Sequence, residues 1–281
     1  MRSILTALLA FLVLPSCLVA QKTEADLRAR LLKKPLYLRG EWGGDKLSFD
    51  DAGQVEKKAA PVSFTLAGVD IQSVKLTAKE LVLQGQRAGL EFNRDVPIRV
   101  GLDKRDGLGN ASPENMTIRI KTPADGDFTA ALDAIFTDNL ADLVPQLPAY
   151  WQTFAQKHLL PAGTLPAPVR NSDPAAGSAQ PPGVAKLPRI GGGVSPPRLA
   201  TKVDPDFDEA ARAMKYSGVV LVNLIVDAEG MPSHLQILRP TGLGLDEQAL
   251  AAVSRYTFQP AMLHGKPVAV ELNVEVNFQI F

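Results

Sequence analysis

Residues 268–280 read VAVELNVEVNFQI, and their pattern decides the architecture. One parity is Val268, Val270, Leu272, Val274, Val276, Phe278 and Ile280; the other is Ala269, Glu271, Asn273, Glu275, Asn277 and Gln279. Period-two alternation over this length predicts a strand with one face on a core and the other in water. With no later segment expected to pair with its outer side, such a strand offers its backbone to a partner.

Working outward, residues 219–226 form a nearly continuous apolar run broken only by Asn223. That reads as a strand covered on both faces, or covered on one and partly shielded on the other. Asp227-Ala228-Glu229-Gly230 is a turn with Gly230 where a positive φ is needed, and residues 233–239 return as the hairpin partner. Gly242 and Gly244 lead into a helix whose buried stripe is Leu245, Ala249, Leu250 and Val253. Asp246 and Glu247 sit in its first turn, where acidic groups favour the helix dipole. Upstream, Asp204-Pro205-Asp206 is expected to open another helix running to Lys215. Pro205 would stand in its first turn, and Asp206 with Glu209 would make a capping-box-like start. Residues 198–281 are therefore expected to fold as helices on a three-stranded antiparallel sheet.

The residues of this module resemble the C-terminal domain of the TonB family. The resemblance is carried by Gly218, Val226-Asp227 with Gly230, Leu245-Asp246 with Ala249-Leu250, Phe258, Pro260-Ala261 and Gly265-Lys266-Pro267-Val268. It covers about residues 195–281 and implies a bacterial cell-envelope protein. By that resemblance the domain grasps an extended segment of an outer-membrane TonB-dependent receptor by β-augmentation, in support of energy-dependent transmembrane transport. The partner-binding strand would comprise Val268, Val270, Glu271, Leu272, Asn273, Val274, Glu275, Val276, Asn277 and Phe278. Phe207-Asp208 stand where many members carry Tyr-Pro and would line a groove. The resemblance also implies the ExbB/ExbD inner-membrane motor as a partner, and the open edge allows a homodimer. The motor-binding, histidine-bearing anchor of the family has no counterpart in residues 4–20, which hold no His. A periplasmic adaptor or assembly module that reuses the domain without transducing energy is the alternative.

The 281 residues suffice for two modest domains, and 30 Lys plus Arg balance 30 Asp plus Glu. Neither bulk charge nor any basic cluster interleaved with aromatics favours nucleic acid. Arg2, an apolar run over residues 4–14 and Ala20 before the first charges describe a secretory signal or N-terminal anchor over residues 1–20. The run is shorter than the roughly 20 apolar residues that span a bilayer. Cleavage after Ala20, lipidation at Cys17 within Leu14-Pro15-Ser16-Cys17, and retention as an anchor all stay open. Each places the chain in the periplasm or cell envelope. Cys17 is the only cysteine, so packing rather than disulfides stabilises the fold.

Residues 21–160 read as a β-rich domain ending in helices. Leu27, Leu31 and Leu32 suit a short first helix, and short apolar runs then follow between Gly and Asp punctuation. Among these runs are residues 63–66, 81–83, 90–92 and 116–120. Leu132, Ile135, Phe136, Leu140, Leu143, Val144 and Leu147 predict an amphipathic helix packed on this domain's sheet. Pro145 and Pro148 would break or kink it before a second piece over residues 150–159. Residues 161–197 contain nine prolines and four charged residues without periodicity, the composition of a tether. The fold class is thus α+β. His158, His234 and His264 lack metal-ligand spacing; Asp103, Asp106 and Asn110 around Gly107 read as a polar turn rather than a calcium loop. No residue set matches an enzyme or cofactor motif, so neither catalysis, a cofactor nor a metal is expected.

Overall fold

The computed structural model describes residues 23–57, 60–161 and 187–280. The signal or anchor segment with Cys17, and residues 162–186 of the expected tether, lie outside the described residues.

The chain enters through helix α1 (Glu24–Leu31). Thr23 and Asp26 cap it reciprocally, each side chain accepting from the other's backbone N–H, and Leu27 and Leu31 are its buried residues. Strands β1 (Leu36–Leu38), β2 (Lys46–Phe49), β3 (Gly68–Leu76), β4 (Glu80–Asn93), β5 (Val96–Gly101), β6 (Asp103–Arg105), β7 (Ala111–Pro113) and β8 (Asn115–Lys121) follow. Helix α2 (Thr129–Ile135), strand β9 (Phe136–Thr137) and helix α3 (Ala149–His158) complete the N-terminal unit. Its main sheet runs β2-β8-β4-β3-β1-β9, with β5 also paired to β4. The β2–β8 pair is parallel, while β6 and β7 form a separate hairpin.

Three expectations for this unit change. Residues 64–66 form a 3₁₀ turn rather than a strand, because the Ser63 hydroxyl accepts from Thr65 N and starts a helical turn. The runs at 81–83 and 90–92 are not two strands but parts of the 14-residue β4. The stripe from Leu132 to Leu147 is not one helix: α2 stops at Ile135, β9 pairs with β1, and a 3₁₀ helix carries Leu140–Gln146 with Pro145 inside it. Pro145 supplies no amide donor, and 3₁₀ geometry brings Leu143 and Val144 to the core while keeping the chain turning.

The C-terminal unit holds β10 (Val194–Ser195), β11 (Arg198–Thr201), α4 (Glu209–Ala213), β12 (Gly218–Val226), β13 (Pro232–Arg239) and α5 (Leu245–Val253). Short strands β14 (Thr257–Gln259), β15 (Ala261–Leu263) and β16 (Lys266–Val268) then lead to β17 (Val270–Phe278). The main sheet has the expected three antiparallel strands, in the order β13-β12-β17. Helix α4 begins four residues later than Pro205 suggests, because Asp208, not Asp206, turns its carboxylate onto Ala210 N as the cap. Val194 and Ser195, within the expected tether, form β10 and pair with β15, and β11 just beyond it pairs with β14.

The apolar interior does not divide where the sequence does. One cluster lies wholly in the N-terminal unit, built from Leu27, Leu38, Phe49, Leu81, Ile118, Ile135 and their neighbours. A second is shared: Phe64, Leu90, Phe92, Trp151 and Phe154 are packed with Val222, Leu224, Leu245, Ala249 and Phe278, and a small third, Val194, Ala261 and Val270, lies in the C-terminal unit. Leu143, Val144 and Leu147 belong to this second cluster.

Candidate partner-binding edge and the interface behind it

Strand β17 lies along β12 over its whole length, from Val270 opposite Val226 to Phe278 opposite Gly218. No other strand pairs with it among the described residues, so one row of its backbone donors and acceptors is unused by the fold. Val270, Val276 and Phe278 are buried, whereas Leu272 and Val274 are half-buried, and Glu271, Asn273, Glu275 and Asn277 are exposed. The alternation expected from sequence is present. Its middle is less covered than its ends, which leaves apolar surface on the inner face beside the free backbone. Val268, read as part of the same run, falls in β16 and pairs with Ala261.

The outer face of the strand is tied to its neighbours. Asn223 Nδ2 donates to Glu271 Oε1 at 2.8 Å and to Asn273 Oδ1 at 2.7 Å. Arg239 pairs with Glu275 at 3.1 Å across the sheet. These exposed contacts each contribute a fraction of a kcal/mol, roughly 0.2–1. They orient polar groups around the edge more than they stabilise it.

Phe207 and Asp208 are adjacent in sequence but do separate work. The Phe207 ring packs edge-on against Phe278, centroids 5.3 Å apart, with the Arg212 guanidinium over it at 5.9 Å. Asp208 caps α4 and lies against Gly244, where burial pushes its carboxyl above the usual range and the Ala210 amide opposes the rise. Asp106 accepts from Leu108 N, Asn110 N and Asn110 Nδ2, so its loop is a closed Asx-type turn. Among the described residues no group of three or more His, Cys, Asp or Glu is placed to hold a metal ion.

The opposite side of the sheet is occupied. Helix α3 of the N-terminal unit lies against β13, and Thr153 Oγ1 donates to Gln236 Oε1 at 2.7 Å. Trp151, fully buried, stands edge-on to Phe64 with centroids 4.6 Å apart and donates its indole N–H to Glu247 Oε1 at 2.8 Å. The two units also share backbone bonds: Phe92 N donates to Thr241 O at 3.1 Å and Leu243 N to Leu90 O at 3.0 Å. Gly244 N donates to Thr65 Oγ1 at 3.0 Å. Gly242 makes this approach feasible, since its φ is +97° and an added Cβ would fall on Leu90 O.

Sequence reasoning placed Asp246 and Glu247 in a first turn as dipole partners and missed their other roles. Asp246 is fully buried and accepts from Thr241 N and Gly242 N, both at 2.8 Å, which holds the loop that meets β4. Glu247 reaches Trp151, and its second oxygen, Oε2, is buried without a partner. Burial first, then the Asp246 charge, pushes the Glu247 carboxyl up to about 8. Burial raises Asp246 as well, to about 6, against the pull of its amide donors. A Leu-Asp-Glu string in a helical first turn carries no sign of which carboxylate will be covered by another unit.

With this geometry described, similarity to known proteins locates the module. Residues 203–280 match the family described as Gram-negative bacterial TonB protein C-terminal. The C-terminal unit contains a TonB-family C-terminal domain. The chain is 30% identical over 112 residues to Protein TonB of Vibrio cholerae serotype O1, covering 39% of this chain and 45% of that protein. It is 31% identical over 77 residues to Protein tonB2 of Pseudomonas aeruginosa, covering 27% of this chain and 28% of that protein. The chain thus spans less than half the length of these curated relatives. A solution NMR structure of the Pseudomonas aeruginosa TonB CTD aligns over 34% of this chain and 96% of its own, at 19% identity and a TM-score of 0.27. No helix among the described residues is long and apolar enough to cross a membrane.

Proposed function

We propose that this is a TonB-like cell-envelope protein whose C-terminal domain takes up an extended segment of an outer-membrane receptor beside β17, in support of energy-dependent transport. The observation that carries the reading is the asymmetry of the sheet: β13 is flanked by α3, whereas among the described residues β17 has a strand on one side only. An added strand would use the free donors and acceptors of Val270–Phe278 and cover Leu272 and Val274. The exposed Glu271, Asn273 and Glu275 would tune the choice of segment and deter association of bare edges. The chemistry is recognition alone, with no bond made or broken.

Proline scanning of the strand tests this. Asn273 and Glu275 share a parity, so their N–H groups point to one side of the strand and that of Val274 to the other. Single prolines at Asn273, Val274 and Glu275 therefore separate the ladder to β12 from the open row. One parity should lower thermal stability; the other should weaken binding of receptor-derived extended peptides about tenfold with stability nearly kept. Unchanged affinity for all three folded variants would eliminate the augmentation reading.

The adaptor reading is favoured by a different observation, the core shared between the two units. A transducer tethered for reach gains nothing from such docking, whereas an assembly module gains a fixed orientation. Crosslinking in cells decides between them: recovery of ExbB or ExbD with this chain supports transduction, and its absence alongside receptor recovery supports the adaptor.

A further inference from the structure

We propose that Glu247 is a proton-binding site whose occupancy holds the N-terminal and C-terminal units together. The site is built from both units. The C-terminal unit supplies Glu247 and Asp246 on α5. The N-terminal unit supplies Trp151 and Tyr150 on α3, Ser63 ahead of the 3₁₀ turn, and Glu41. Glu247 Oε1 accepts from the indole of Trp151, and Oε2 is buried with no partner. An unpaired carboxylate oxygen in that position is costly, while a protonated one requires no counter-charge.

The carboxylates at the site act in the same direction. The largest influence opposing the rise at Glu247 is a neutral donor, the Trp151 indole. Asp246 adds negative charge from the same helix turn. Across the interface, Tyr150 is driven above its normal range by burial and by the carboxylates of Glu247, Glu41 and Asp246. Glu41 is itself raised by burial. The interface therefore gathers three carboxyls and a phenol. Asp246 already has two amide donors, so the shared proton belongs on Glu247.

The consequence is linkage between docking and pH. When the units separate, Glu247 regains water and the ordinary carboxylate value of 4.5; docked, it stands near 8. Docking takes up a proton throughout that interval, so it is strongest at low pH and weakens as pH rises through the docked value. One proton per docking event means about tenfold per pH unit, or about a hundredfold between pH 5.5 and 7.5. The proposal is independent of what binds at β17.

The experiment uses the full chain. Carboxyl carbon NMR of the Glu-labelled protein, with the Glu247 signal assigned by its loss in Glu247→Gln, should show a midpoint near 8. Hydrogen exchange of the Phe92 and Leu243 amides, which donate across the interface, should lose protection by up to about a hundredfold from pH 5.5 to 7.5 after correction for intrinsic exchange. The Val222 amide inside the β12 ladder should keep its protection, and in Glu247→Gln the two interface amides should become independent of pH. A Glu247 midpoint in the ordinary carboxylate range overturns the proposal. So does interface protection that is flat with pH in the native chain, or that falls in step with Val222. The native-chain exchange measurement decides the matter if Glu247→Gln fails to fold.

Discussion

Replacing Gly242 with alanine should cost far more than its position in a loop suggests, because the added methyl acts across two units. Its φ of +97° alone disfavours any L side chain, by about 1–2 kcal/mol. Gly265 provides the reference for that part, with φ +79° and open space around its missing Cβ. At Gly242 the Cβ would additionally fall on Leu90 O and stand 3.0 Å from Glu91 Cα, both backbone atoms of the central strand β4. Neither can swing aside as a side-chain end would. Relief requires the loop to withdraw, which stretches the Phe92 N to Thr241 O and Leu243 N to Leu90 O bonds beyond use. Leaving these groups buried and unpaired costs about 1–3 kcal/mol for each bond. Gly242→Ala is therefore expected to lose about 3–8 kcal/mol and Gly265→Ala about 1–2 kcal/mol, read by urea unfolding of the full chain. The variant should also expose the Trp151 indole, red-shifting its emission before the main transition. Equal losses for the two variants would refute the claim that the units are joined through this loop.

Two further outcomes follow from the same contacts. Asp246→Ala leaves the Thr241 and Gly242 amides without an acceptor while removing a desolvated carboxyl, for a net loss of about 2–4 kcal/mol in urea. Asp246→Asn should lose roughly half as much, and equal stability of all three proteins would contradict the capping role. Arg87, 3% exposed, donates to Glu114, Leu66 O and Gly44 O, so Arg87→Met strands several acceptors at once. The expected loss is about 3 kcal/mol or more, and a change under about 1 would show that the buried ion pair contributes little.

The sequence by itself determined the local framework of the C-terminal unit. Alternation from Val270 to Phe278, the apolar run of β12 and the Asp-Ala-Glu-Gly turn are period and turn signals that neighbours within a few residues settle. The first helix was legible from the spacing of Leu27 and Leu31. Boundaries that depend on capping were misplaced, because Asp206 and Asp208 are equally good caps and only the packed chain chooses. The stripe from Leu132 to Leu147 has helical spacing, yet Phe136 and Thr137 instead pair with β1, a partner far away in sequence.

Tertiary structure alone decided which edge of the sheet stays open and what the two units share. The same apolar residues that look sufficient for two separate cores are divided among a cluster private to the N-terminal unit, one common to both and a small one in the C-terminal unit. Periodicity reports which face of an element is buried, but not what buries it. Trp151 and Glu247 acquire their roles from each other, and Gly242 from Leu90, in each case across the two units. Burial of a carboxyl is a property of the surroundings it is packed into, and nothing in Leu245-Asp246-Glu247 encodes those surroundings.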